Sequence, residues 1–237
     1  MAQADERKKL TEWVENISKD VKDLILDHHI FWEVQQIIRS NPRFANVPGV
    51  FTQWMASNFI QAAVLGVRRQ ADLNPDCISL RKFLREVKNS PALLSREYYV
   101  SDSLQAAKDW PEECAEGFAN GLYDQLVGPG MSQPAPAQVQ SEIDELVSTT
   151  ERIRGFVDRR VAHVDRRGLQ QPLPTFDGLA DCLVLLERLM VKYYNLLTAT
   201  DSGELLPQTL SDWKAVFRFP WLEGPTKSGI PGRETFP

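Results

Sequence analysis

The run Val157–Arg167, VDRRVAHVDRR, holds four arginines, two aspartates and one of the chain's three histidines. On a helix, Arg159 lies one turn ahead of His163 and Arg160 three residues ahead, so both flank the imidazole. Imidazole exchanges a proton near neutral pH. Arginine grips a phosphate through paired hydrogen bonds and stabilises charge that grows on it. His163 with Arg159 and Arg160 therefore suits phosphodiester chemistry, and Asp165 stands where it can orient a ring nitrogen or pair a guanidinium. The competing reading is structural: a solvated helix face laced with ion pairs, carrying a histidine of no special role.

Charge distribution bears on that choice. From Glu151 to Arg167, six arginines meet three acids, a local net of +3 in a chain of 237 residues whose net charge is −5. The overall charge does not mark a general nucleic-acid binder. A positive island on an acidic chain, extended here by Arg166 and Arg167, attracts a polyanion locally while the remainder repels it. Asp158 and Asp165 leave arginines in excess within the run. Guanidiniums are costly to bury unpaired, so these must be exposed or compensated.

Other chemistry finds less support. Cys77, Cys114 and Cys182 show no paired spacing, which fits a reducing cytoplasm and argues against a zinc cage or a disulfide framework. His29 and Glu33 stand one helical turn apart, but two ligands without a third do not make a metal site. His28 falls on an apolar stripe between Leu24 and Phe31 and reads as a hydrogen-bonded core histidine. Trp54, Tyr193 and Tyr194 read as core rather than as base-stacking platforms. No metal or cofactor is expected. The charged amino-terminal residues do not resemble a signal peptide. No window approaches about 18 uninterrupted apolar residues, so no membrane span is expected.

The elements that must position His163 are helices throughout. Leu10, Trp13, Val14, Ile17, Val21, Leu24, His28, Phe31, Val34 and Ile38 recur at steps of three and four, one face of a long helix bent near the histidine pair and stopped by Pro42. A second helix carries Phe51, Trp54, Met55, Phe59, Ala62, Ala63 and Gly66 along one side, its small residues inviting close approach of a neighbour. Ser79 caps a third, with Leu80, Phe83, Leu84 and Val87 inward. The stretch NSPALLSREYYVSDS is ambiguous, a turn or two of helix. Pro111, Glu112 and Glu113 open another helix. A Gly/Pro-rich connector near 128–137 reads as a loop inside one domain. Beyond it, a helix through Val139, Ile143, Leu146, Val147, Ile153 and Phe156 leads into the arginine–histidine run. The clearest period of all follows, through Leu179, Leu183, Leu186, Leu189, Met190, Tyr193 and Leu197, and a short helix lies within LSDWKAVFRF. No alternating strand pattern or Gly-rich phosphate loop is present.

Within VDRRVAHVD, residues Asp158, Ala162, His163 and Asp165 match a typical motif of the abortive-infection-type (AbiU-like) branch of the HEPN superfamily, with Arg159 where that branch carries lysine. The upstream segment NFIQAAVLGVRRQADLNPDCISLRKFLREV is similar to that branch's second helix, through Arg68, Arg69 and Asp72, followed by a helix start at Ser79 and Leu80. The resemblance spans about residues 20–200. It implies an all-α, HEPN-like antiparallel helical bundle with additional helices; the apolar faces read as one domain over 1–223, and the Gly/Pro-rich, polar end as a flexible tail over 224–237. It also implies an RNA-directed role in a bacterial defence or toxin–antitoxin-type system, with RNA, a second copy of the chain and an antitoxin as partners.

In such a metal-independent endoribonuclease, His163 would handle the 2′-hydroxyl or leaving-group proton, assisted by Asp165. Arg159 or Arg160 would hold the scissile phosphate. Arg166 and Arg167 would extend the RNA contact, and Arg69, Asp72 and Asp158 would support the motif. The sequence departs from the family at one point. The nuclease signature places an arginine so that about four to six residues separate it from the histidine, and Phe156, Val157 and Asp158 occupy those positions. The alternative is therefore a non-catalytic, dimeric protein-interaction module that has lost the nuclease arginine.

Overall fold

The apolar stripe of the first forty residues folds as one helix. The computed structural model describes residues 2–44, 49–158, 174–200, 203, 205 and 212–218. In it α1 runs unbroken over Ala2–Ser40, through the His28–His29 pair, and ends ahead of Pro42. It buries Leu10, Val14, Ile17, Val21, Leu24, Phe31 and Val34. The helices α2 (Val50–Gln70), α3 (Leu80–Asn89), α4 (Arg96–Ala106), α5 (Glu112–Val127), α6 (Pro136–Phe156) and α7 (Phe176–Thr198) follow. The fold is all-α and HEPN-like, with no strand among the described residues. No helix among them is long and apolar enough to cross a membrane.

Packing follows the apolar faces. Helix α1 lies along α7 and also against α2, α3 packs on α6, α2 touches α6, and α4 pairs with α5. The α7 stripe supplies Leu179, Leu183, Leu186, Leu189, Met190, Tyr193 and Leu197 to the core, as its period predicts. Leu80, Phe83, Leu84 and Val87 of α3 are all fully buried. Ser79 caps that helix by accepting the Lys82 amide at 3.2 Å. The ambiguous stretch resolves into a 3-10 turn, Pro91–Leu94, and the three-turn α4, capped by Ser95. Two compact units divide the chain, Met1–Leu206 and Pro207–Pro237. The described part of the second is a 3-10 turn, Trp213–Arg218, with an Asp212–Arg218 ion pair at 2.9 Å.

Helix α2 departs from the expected stripe. Its buried residues are Ala63, Val64, Gly66, Val67 and Gln70. Trp54 is 62% exposed and stacks on the exposed Phe51, at 5.9 Å between centroids, so it is not core. Tyr193 is fully buried and Tyr194 half-buried. Periodicity finds an apolar stripe, but burial needs a facing surface, and only the carboxy-terminal half of α2 is well covered by described residues. There the expected close approach is real. A Cβ on Gly66 would sit 2.4 Å from Leu24 Cδ2 of α1, so hydrogen alone fits without a shift of Leu24.

Candidate functional site

Where α6 ends, Val157 and Asp158 continue it in a wider, π-helical turn. Such turns interrupt the regular hydrogen-bond ladder and re-aim side chains. Val157 points into the core and is 1% exposed. Asp158 points outward and meets α2, accepting a hydrogen bond from Arg68 Nε at 2.8 Å. The same guanidinium donates through Nη1 to Asp72 Oδ2, also at 2.8 Å. The bond to Asp158, and then that to Asp72, pushes the Arg68 pKa up.

Asp72 ties this pair to the start of α3. Its Oδ1 accepts the Leu73 and Asn74 amides at 2.7 and 3.1 Å, and its backbone carbonyl accepts Ser79 Oγ at 2.6 Å. Burial raises the Asp72 carboxyl, but the Asn74 amide, Arg68 and the Leu73 amide outweigh it and hold the group below the ordinary carboxylate range. The end of α2, the cap of α3 and the end of α6 are thus one polar lock. Its charges are partly exposed, so it contributes less to stability than to geometry, on the order of 1 kcal/mol or below per pair. What it fixes is the position from which the chain leaves α6 toward residues 159–167.

A cationic cluster adjoins the lock. Arg81 and Arg85 project from α3, and Arg154 from the last turn of α6. Burial lowers the Arg81 pKa, and repulsion from Arg154 and Arg85 lowers it further, against the opposing pull of Asp72. Arg81 Nη1 donates to the Ala71 carbonyl at 3.3 Å, while its Nε is buried without a partner among the described residues. Like charges gathered at one seam raise the local potential and favour an anion there. Arg81 and Arg85 were not expected from the sequence as site residues. The available signal was a same-sign pair at i,i+4 on α3, which an isolated helix disfavours.

Of the supporting residues expected from sequence, Asp72 and Asp158 are brought together, but by Arg68. Arg69 turns the other way, its guanidinium 3.5 Å from Asp20 of α1. The Arg69–Asp72 pairing that spacing allows gives way to the i,i+4 pair from Arg68. Arg159, Arg160, His163, Asp165, Arg166 and Arg167 lie outside the described residues. His28 is half-buried rather than buried. It is hydrogen-bonded as expected, its Nε2 accepting from Trp32 Nε1 at 2.9 Å. Burial, and then the neighbouring His29, lowers its pKa. Among the described residues, no group of three or more His, Cys, Asp and Glu side chains is placed to hold a metal ion.

A groove of about 700 Å³ opens between α6 and α7. Its charges are mixed, and Arg188 is already paired with Glu145 at 2.6 Å, so it is a poorer seat for a polyanion than the arginine seam. Compared with known proteins, the chain matches the model of one family, HEPN_AbiU2 (AbiU2), over residues 7–216. No curated protein and no solved structure matches it.

Proposed function

Because the chain belongs to the AbiU2 family of HEPN proteins, we propose that it is an RNA-directed protein of a bacterial defence or toxin–antitoxin-type system. The observation that carries this reading is the lock of Asp158, Arg68 and Asp72 set beside the Arg81–Arg85–Arg154 seam, none of whose guanidiniums is in a salt bridge among the described residues. The lock fixes the root of the segment that holds His163. The seam adds positive charge to the arginines of that segment. Arg159, Arg160, Arg166 and Arg167 would bind the phosphate backbone, and His163 with Asp165 would manage proton transfer at a 2′-hydroxyl or leaving group. A homodimer that pairs two such segments belongs to the same reading.

A second reading is favoured by one specific observation. Val157, where the family's nuclease arginine would stand, is 1% exposed in the core. That position cannot present a side chain to substrate while it remains buried. The chain would then be a non-catalytic interaction module on the same fold. One experiment separates the two. RNA is incubated with the purified protein in EDTA, beside a His163→Ala control, and binding is followed at low salt. Cleavage that the control abolishes supports the endoribonuclease. Salt-dependent binding without cleavage, weakened by Arg159→Ala with Arg160→Ala, supports a binder that does not cut. Neither binding nor cleavage leaves the interaction module.

A further inference from the structure

Helices α4 and α5 form a hairpin-like pair on which small side chains leave a groove of about 320 Å³. Its lining includes the buried Ala115 and Ala119, Ala106, and the larger Trp110, Phe118 and Leu122. Trp110 is 54% and Phe118 57% exposed, and their rings lie 5.7 Å apart. A single exposed apolar residue needs no explanation. Two adjacent exposed aromatics beside an alanine-lined groove are the composition of an interface hot spot.

The surroundings say what chemistry would cover it. Asp109, Glu112, Glu113 and Glu116 are exposed on the same short segment as the two aromatics, with Lys108 its one basic residue; they do not line the groove, and none of them is in an ion pair among the described residues. Glu112 and Glu113 complement the amino terminus of α5, as helix dipoles favour. Asp109 precedes the helix and Glu116 lies a turn farther on, so the dipole does not account for them. The net negative charge of this segment disfavours RNA and anionic lipid as occupants. It also disfavours an isologous dimer, in which two acidic segments would meet.

We infer that the α4–α5 groove docks a cationic amphipathic helix of a partner protein, with one of the partner's large apolar side chains seated between Trp110 and Phe118. The inference is independent of what the arginine–histidine segment does. The probe is a fluorescein-labelled amphipathic peptide of leucine and lysine, titrated with the full chain and followed by anisotropy. A leucine–glutamate peptide and a serine–lysine peptide serve as comparators.

The leucine–lysine peptide should bind, and both comparators should bind more weakly. Trp110→Ser with Phe118→Ser should weaken it about tenfold or more, as loss of a hot spot does. Glu112→Gln, Glu113→Gln and Glu116→Gln together should weaken it and reduce its salt dependence. Phe118→Lys, at an exposed position, gives the same test should the double variant not fold. Equal affinity for either aromatic variant, or equal binding of the serine–lysine peptide, overturns the proposal. Sedimentation of the same variants covers the other occupant. A dimer that these substitutions convert to monomer would assign the groove to a second copy and overturn the partner reading.

Discussion

Helix α6 carries a carboxylate near each end, and the fold treats the two in opposite ways. Glu142, at the amino-terminal end, is 7% exposed. Lys192 Nζ of α7 donates to its Oε1 at 2.6 Å, and the Tyr193 hydroxyl donates to its Oε2. Burial, and then the Glu142 charge, drives the Tyr193 pKa far above its ordinary value. Asp158, just past the other end, has a half-exposed side chain and shares Arg68 with Asp72. A buried carboxylate must have its oxygens satisfied, because water cannot substitute for a missing partner. An exposed one can be released and remade. One end of α6 is a fixed joint between helices; the other is a partly solvated latch beside the segment that carries His163.

The sharpest way to break that contrast is Glu142→Ala. It strands the Lys192 ammonium and the Tyr193 hydroxyl, and should cost about 3 kcal/mol, the lower end for a broken buried pair since Lys192 keeps some access to solvent. Denaturant melts would measure it, and a cost below about 1 kcal/mol would remove the distinction between the two ends. Glu142→Leu combined with Lys192→Met and Tyr193→Phe should recover most of the loss, because an apolar trio leaves no buried polar group without a partner.

Ser79→Ala comes next. It removes both the cap of α3 and the hydrogen bond to the Asp72 carbonyl, and about 1–2 kcal/mol is expected from thermal or denaturant unfolding. Arg68→Ala should cost less, under about 1 kcal/mol, since its pairs are partly exposed. Its effect should appear elsewhere, as faster amide hydrogen exchange at the end of α6. Unchanged exchange there would mean that Arg68 fixes nothing.

The smallest effect concerns acid. The Asp72 carboxyl is held below its ordinary value of 3.8. An acid depressed in the folded state adds stability that is present above the ordinary value and lost as pH falls through the folded one. Asp72→Asn should therefore lower the neutral plateau slightly and flatten the decline below about pH 4 in melts taken across pH. A variant whose acid limb matches that of the natural chain would show that Asp72 is not the group responsible.

Much of this architecture is legible in the residues. The α7 period, the Ser79 cap, the stop ahead of Pro42 and the small-residue approach at Gly66 are local signals, each tied to a backbone or steric requirement. Trp54 was misread because an aromatic on an apolar stripe looks the same whether or not a neighbour covers it. The exchange of Arg69 for Arg68 has a similar origin. Both arginines precede Asp72 at helical spacing, and which one turns toward it depends on where Asp20 and Asp158 lie.

Helical class, the stop ahead of Pro42 and the start at Ser79, the motif around His163 and the family itself were determined by sequence alone, because propensity, periodicity and motif spacing act between residues close in the chain. Tertiary structure decided what depends on distance across the fold. It set Val157 inward and Asp158 outward at the end of α6, joined Asp158 to Asp72 through Arg68 across 90 residues of chain, gathered Arg81, Arg85 and Arg154 at one seam, and left Trp110 and Phe118 uncovered among the described residues. Burial and long-range charge are properties of the packed surface, and no local pattern encodes which surface a side chain will meet.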